Sequence, residues 1–321
     1  MTKVTDDREQ RSGAAEPGRP PDDVRDAAEP DLPTSAGGGE PEGASEGVGE
    51  KKPSRAGRNL PAAIGVGVLL GAAILVSLFT VRYLFIGVIA IAIAVGTIEL
   101  SRAFRSADIR IALTPVLVGG QAMIWLAWPF GREGALTAFV VTVLLCLLWR
   151  LPGGASGYVR DVGSSVFAAA YLPLFASFAA MLVPPDDGVG RVIAFLIVVI
   201  ASDTGGYAAG VLRGRHPMAP SISPKKSWEG FAGSMTAGIV AGALSLAFLV
   251  DGHAWQGVLF GMAIVLTATL GDLMESLIKR DLGIKDMGDL LPGHGGLMDR
   301  LDSLLPSALA SWLLLSLFVP A

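Results

Sequence analysis

The 321-residue chain is 51% hydrophobic and only 17% charged, with a mean hydropathy of +0.55. Soluble domains carry about a quarter charged residues, so this balance argues against an ordinary soluble enzyme. The charge balance of 25 Lys+Arg against 29 Asp+Glu excludes a basic nucleic-acid-binding surface, and a single cysteine, Cys146, excludes an intrachain disulfide or a multi-cysteine zinc site.

Residues 1–58 hold 9 basic and 13 acidic side chains, and their net charge of −4 is that of the whole chain. The other 263 residues are neutral, with 16 of each sign. The first segment contains Pro20-Pro21 and the run Gly37 to Gly39 and has no aromatic residue. It has too few apolar side chains to offset the entropy of ordering, which predicts a disordered acidic cytoplasmic tail over 1–58. No apolar core sits close enough to the first residue for a secretory signal.

From Leu60 the pattern changes to apolar stretches of membrane-spanning length, about 20 residues for a hydrocarbon core roughly 30 Å thick. Nine are predicted, at about 60–79, 83–101, 111–129, 135–149, 163–183, 190–212, 231–250, 255–273 and 303–320. The expected fold is therefore an all-α polytopic membrane protein, with a membrane-embedded catalytic domain over 59–321. Glycines four apart, Gly238/Gly242 and Gly257/Gly261, are read as helix-packing positions. Trp125, Trp128 and Trp149 are read as interfacial anchors, and Cys146 as a small buried apolar residue.

Orientation follows from the basic residues. With the N-terminus inside, the inner connectors hold thirteen Lys/Arg and the outer ones only Arg82, Arg132 and Arg191. By the positive-inside rule the N-terminus is cytoplasmic, and nine spans put the C-terminus outside. The longest inner connectors, 213–230 and 274–302, are also the most polar, so chemistry is expected there.

The stretch 272–302 is dense in Asp272, Glu275, Ser276, Lys279, Arg280, Asp281, Lys285, Asp286, Asp289, His294, Asp299, Arg300 and Asp302. Asp272, Glu275 and Ser276 are three and four apart and share a helix face, as do Asp299 and Asp302. Carboxylates at converging helix ends offer hard oxygen ligands, which suit Mg²⁺ better than zinc. Between them the run Leu291 to Gly296 sets His294 among three glycines, a path that exposes backbone N–H groups to a phosphate or makes a plain turn between helices. In the other connector, Ser223 before Pro224 predicts a helix N-cap, with Lys225 and Lys226 in the first turn. Lysines there oppose the helix dipole unless an anion is bound. Asp203, within the sixth span, is a functional candidate or a partner for a base. His216 is read as a solvated loop residue, and His253 is given no role.

The run Ser276-Leu277-Ile278-Lys279-Arg280, then Lys285-Asp286-Met287-Gly288, then Leu291 through Asp302 resembles the signature of phosphatidate cytidylyltransferases, also called CDP-diacylglycerol synthases. Ser223-Pro224-Lys225-Lys226 with Glu229-Gly230 resembles a second motif of that family, with Ser227 where threonine is commoner. Asp203 and Tyr207 resemble its aspartate and tyrosine, with Gly206 in place of alanine. The resemblance covers about residues 60–321 and implies that CTP and phosphatidic acid give CDP-diacylglycerol and pyrophosphate, in a bacterial inner membrane with the site on the cytoplasmic side. It implies Mg²⁺, alone or with a second cation, and a homodimer. The expected metal ligands are Asp272 and Asp299, with Asp302 as a third ligand or a partner of the ligands. Lys225, Lys226 and Arg300 are expected to act in catalysis beside Asp272 and Asp299. Ser223, Asp203, Lys279, Arg280, His294, Gly295 and Gly296 are expected to bind substrate. Two rivals remain at this level: a lipid kinase, which would release CDP, and a secondary transporter using Asp203 and Asp272. A transporter needs a midplane site and often repeated halves, whereas the polar groups cluster at one face and no internal repeat is evident.

Overall fold

The computed structural model describes residues 60–288 and 296–320. The acidic segment 1–58, and His294 and Gly295, lie outside the described residues. Helix α1 (Leu60–Thr80) stops where Val81 turns extended, and α2 (Arg82–Ser106) begins directly after it. α3 runs over Leu113–Arg150, and α4 (Tyr158–Ala169) passes through a π-helical turn at Ala170–Leu174 into α5 (Phe175–Ala180). Pro173 explains the wide turn, since it has no N–H to continue the ordinary ladder. Then come α6 (Gly188–Arg213), a hairpin of β1 (Pro217–Ala219) and β2 (Ser223–Ser227), α7 (Trp228–Leu249) and α8 (Ala254–Asp281). The short α9 (Met298–Leu301) leads into α10 (Leu304–Phe318).

Seven helical stretches among the described residues are long and apolar enough to cross a membrane. The protein is therefore a polytopic helical membrane protein. The expected spans 111–129 and 135–149 both fall inside α3, which is broken at Gly131, with φ 55° and ψ −141°. That left-handed backbone suits a residue without a Cβ, and the two arms fold back on each other. A Cβ on Gly119 would stand 1.8 Å from the Thr142 hydroxyl oxygen. α2 and α8 run several residues beyond the expected spans, to Ser106 and Asp281, because their polar last turns stay helical.

Two apolar clusters hold the helices together. One gathers residues of α2, α3, α4 and α5, including Ile86, Leu100, Met123 and Leu172, with Met298 beneath them. The other gathers α6, α8 and α10 around Val198, Phe260 and Leu315. α7 packs along both α6 and α8. The predicted glycine pairs make the α7–α8 seam: a Cβ on Gly257 would lie 2.3 Å from the Gly242 carbonyl oxygen, and one on Gly261 would lie 2.2 Å from that of Gly238. Backbones this close are the reason for glycine there.

The polar loops sort to two ends of the bundle. At one, Arg82 donates to the carbonyls of Pro184, Pro185 and Asp186, and Arg191 joins Asp187 to the Val319 carbonyl. His253, without a predicted role, closes a capping box with Gln256 at the start of α8. At the other end, Asp161 accepts from Arg150 and from the Arg110 backbone N–H, and Arg160 donates to the Asp108 carbonyl.

The predicted N-cap at Ser223 is corrected by the structure. Residues 223–227 are extended and pair antiparallel with β1, and the helix starts at Trp228 with Ser227 as its cap. The Ser227 hydroxyl accepts from Gly230 N–H at 3.1 Å, and Glu229 places an acid in the first turn. Lys225 and Lys226 are therefore strand residues and do not oppose a helix dipole.

Candidate active site

At the end of the bundle reached by the C-terminal halves of α6 and α8 lies an open cavity of about 690 Å³. α6 supplies Asp203, Gly206 and Tyr207 to its wall, β2 supplies Lys225, Lys226 and Ser227, and α7 supplies Gly230 and Ser234. α8 contributes Asp272, Glu275 and Lys279. The segment leading to α10 adds Asp286, Asp299, Arg300, Asp302 and Ser303. Residues separated by up to 100 positions thus line one space.

The charges are organised around two lysines. Lys226 Nζ lies 2.6 Å from Asp272 Oδ2, and the Ser276 hydroxyl donates to Asp272 Oδ1 at 3.4 Å. The Asp272 side chain is 40% exposed, so a ligand in the cavity can reach it. Lys279 bridges Glu275 at 3.0 Å and Asp299 at 2.8 Å. Asp299 also accepts from the backbone N–H of Met287 at 3.2 Å and of Gly296 at 2.9 Å. Glu275 is fully buried, with the Asp302 carboxyl against it and Oε1 unpartnered among the described residues. Asp302 accepts from Ser303 N–H at 2.6 Å. Asp203 faces Asp302 and Asp272 as like charges and Lys226 and Arg300 as opposite ones.

Of the residues expected from sequence, Asp203, Lys225, Lys226, Asp272, Lys279, Asp299, Arg300 and Asp302 line this cavity. Ser223 and Arg280 are not among its lining residues; Arg280 instead reaches the Ile222 carbonyl of the hairpin at 3.5 Å. Gly296 is buried, and its N–H is taken by Asp299. His216 is exposed as expected, but its ring also meets Glu229 at 2.5 Å, while the other Glu229 oxygen accepts from the Arg215 and His216 amides.

Two residues escaped the sequence reading. Glu99 in α2 is buried against Gly288 and Gly296 and accepts from Met298 N–H at 2.9 Å. A lone acid inside an apolar span was the available signal. Tyr171, in the π-helical turn, buries a hydroxyl unpartnered among the described residues and sits within the field of Glu275, Asp302 and Asp272. No sequence pattern singles it out.

Among the described residues no three Asp, Glu, His or Cys form a preformed metal cage. The donor set nevertheless fits a hard divalent cation. Among the described residues six acids, Asp203, Asp272, Glu275, Asp286, Asp299 and Asp302, line the cavity against four bases, Lys225, Lys226, Lys279 and Arg300. Such a surplus would repel phosphates unless a cation joined them, and all the acid donors are oxygens.

A lysine–carboxylate cavity at the ends of the spans of a helical membrane protein has the donor set that a membrane-embedded group-transfer enzyme needs. The profile of the cytidylyltransferase family matches residues 61–318, and the chain belongs to that family. It is 53% identical over 277 residues to a phosphatidate cytidylyltransferase of Mycobacterium bovis, covering 82% of this chain and 90% of that protein. A phosphatidate cytidylyltransferase of Mycobacterium leprae is 50% identical over 83% of this chain and 91% of its own length. One of Helicobacter pylori is 43% identical over 41% of this chain and 49% of its own.

Proposed function

We propose that the protein transfers the cytidylyl group of CTP to phosphatidic acid, forming CDP-diacylglycerol and pyrophosphate for phospholipid synthesis. One observation supports this above the others: lysines 226 and 279, anchored on Asp272 and Asp299, stand in one open cavity at the ends of membrane spans. Family membership names the chemistry, since the relatives are phosphatidate cytidylyltransferases.

In this reading a phosphate oxygen of phosphatidic acid attacks the α-phosphorus of CTP. A new P–O bond forms, the bond between the α-phosphorus and the bridging oxygen breaks, and pyrophosphate leaves with those electrons. The nucleophile is already an oxyanion and needs no strong base, so positioning and charge neutralisation carry the rate. Lys225, Lys226 and Arg300 bind and neutralise the phosphates, and Lys279 positions Asp299. Asp203, across the cavity, orients the bound nucleotide. Asp272, Asp299 and Asp302 would hold Mg²⁺, which when bound supplies charge neutralisation on the phosphates. Asp299, whose carboxylate is engaged by Lys279 and two amides, also fixes the segment it belongs to.

The same reading puts the cavity on the cytoplasmic side of a bacterial inner membrane. It takes nine crossings: α1, α2, the two arms of α3, α4 with α5, α6, α7, α8, and α9 with α10, with the N-terminus inside and the C-terminus outside. The reversal at Gly131 and the basic residues at the cavity end support this topology. A homodimer is part of the proposal, but the glycine seam is spent inside one chain, between α7 and α8.

The deciding assay incubates purified protein in lipid with CTP, phosphatidic acid and Mg²⁺. Pyrophosphate and CDP-diacylglycerol in equal amounts, abolished by chelation, are the expected products. Release of CDP would mark a kinase, and labelled-ion uptake into proteoliposomes without nucleotide would mark a carrier.

A further inference from the structure

We propose that Glu99 is a positioning residue for the active-site segment: from inside α2 it grips the Met298 backbone and so sets the place of Asp299, Arg300 and Asp302. The kinetic part of this proposal rests on the cytidylyl-transfer reading.

Glu99 is 3% exposed and sits in a helix apolar enough to cross a membrane. A carboxylate there is expensive and is kept only where something in the fold uses it. What it touches is backbone. Oε2 accepts the Met298 N–H at 2.9 Å, a contact across 199 residues of sequence. Oε1 has no partner among the described residues and lies against Gly288, where a Cβ would approach it to 2.7 Å. A Cβ on Gly296 would come within 2.9 Å of Oε2 and 3.0 Å of Asp299 Oδ2.

The segment is thus held by two carboxylates. Asp299 takes the amides of Met287 and Gly296 and carries Lys279 in the cavity. Glu99 takes the amide two residues further on, that of Met298, and is not among the residues lining the cavity. Residues 298–302 follow that anchor as a helical turn and carry three cavity charges. A shift of about 1 Å at a positioned charge is enough to cost a large rate factor, so an acceptor at Met298 governs chemistry it never meets.

The test compares Glu99→Gln and Glu99→Leu in lipid nanodiscs. Glutamine keeps an acceptor oxygen, and its kcat is expected within about threefold of the parent, as for a preserved hydrogen bond. Leucine removes the acceptor, and kcat at saturating CTP and phosphatidic acid is expected to fall roughly 10- to 100-fold, the range for lost supporting contacts. Hydrogen exchange should quicken in peptides bearing Gly296 and Met298 in the leucine variant alone. Exchange in α6 and α7, and thermal unfolding, should stay near the parent. The proposal is overturned if Glu99→Leu keeps parental kcat and exchange, if exchange rises across all helices, or if Glu99→Gln fails as badly as Glu99→Leu. Should the parent form no CDP-diacylglycerol, the reaction reading falls, while the exchange contrast still decides the role of Glu99.

Discussion

Two charged clusters built from the same residue types show how differently ion pairs can be used. At the α3–α4 corner, Asp161 is 2% exposed and meets Arg150, Arg160 and the Arg110 amide, with Ser165 bridging its backbone carbonyl to the Ala112 N–H. There two arginines meet one buried acid whose two carboxylate oxygens are both engaged, although Arg150 Nε is unpartnered among the described residues. In the cavity, acids outnumber bases among the described residues and Asp272 is open to solvent. Counting salt bridges would not separate the two. Imbalance and access do, because an acid shut away with both oxygens engaged has nothing left to offer a ligand.

Exchanging the central acid of each cluster should break the comparison most sharply. Asp272→Asn is expected to lower CDP-diacylglycerol formation roughly 10³-fold, the scale of losing one transition-state stabiliser, with thermal unfolding unchanged. Asp161→Asn should do the reverse. It takes the counter-charge from Arg150, whose side chain is 16% exposed, and should cost about 3 kcal/mol in unfolding experiments, the low end for breaking a buried pair, with the kcat of the folded fraction preserved. Equal stability losses in both variants would erase the distinction.

Lys226→Ala comes next. It removes a cavity cation without emptying the core, and a fall in kcat/KM of roughly 10²-fold is expected in steady-state assays at fixed Mg²⁺. A purely packing effect is expected from Gly257→Ala, which forces α7 and α8 apart: about 1–3 kcal/mol of stability, read by thermal unfolding in detergent, with activity lost only as the protein unfolds. The smallest effect belongs to Arg280→Ala. Arg280 reaches the hairpin carbonyl of Ile222 at 3.5 Å from an exposed position, so kcat/KM should change less than about threefold, in keeping with exposed contacts. A larger loss would return Arg280 to the cavity.

Much of the arrangement was legible along the chain, and particular residues show why. The helices α2, α6, α7, α8 and α10 follow from apolar runs alone, since lipid demands that every backbone group be satisfied within the segment. The glycine pairs of α7 and α8 were legible from their spacing, because four residues return to the same helix face. Asp272, Lys279, Asp299 and Asp302 stood out because charge is scarce in such a chain. Ser223 and Pro224 misled: a serine–proline pair suits a helix start and an extended strand equally, and pairing with Pro217 to Ala219 decided for the strand. Glu99 was passed over because its partner, the Met298 amide, is remote in sequence and a backbone donor leaves no residue-type signal.

Taken by itself, the amino-acid sequence determined that the chain lives in a membrane, where its polar residues concentrate and which reaction family its motifs belong to, because hydrophobicity and local spacing are properties of neighbours along the chain. Only the tertiary structure decided that Lys226 meets Asp272, that Lys279 joins Glu275 to Asp299, and that Glu99 supports Met298. Those pairings depend on how helices approach one another, on close glycine backbones at one seam and a reversal at Gly131 in another, and such distances are set by packing in three dimensions.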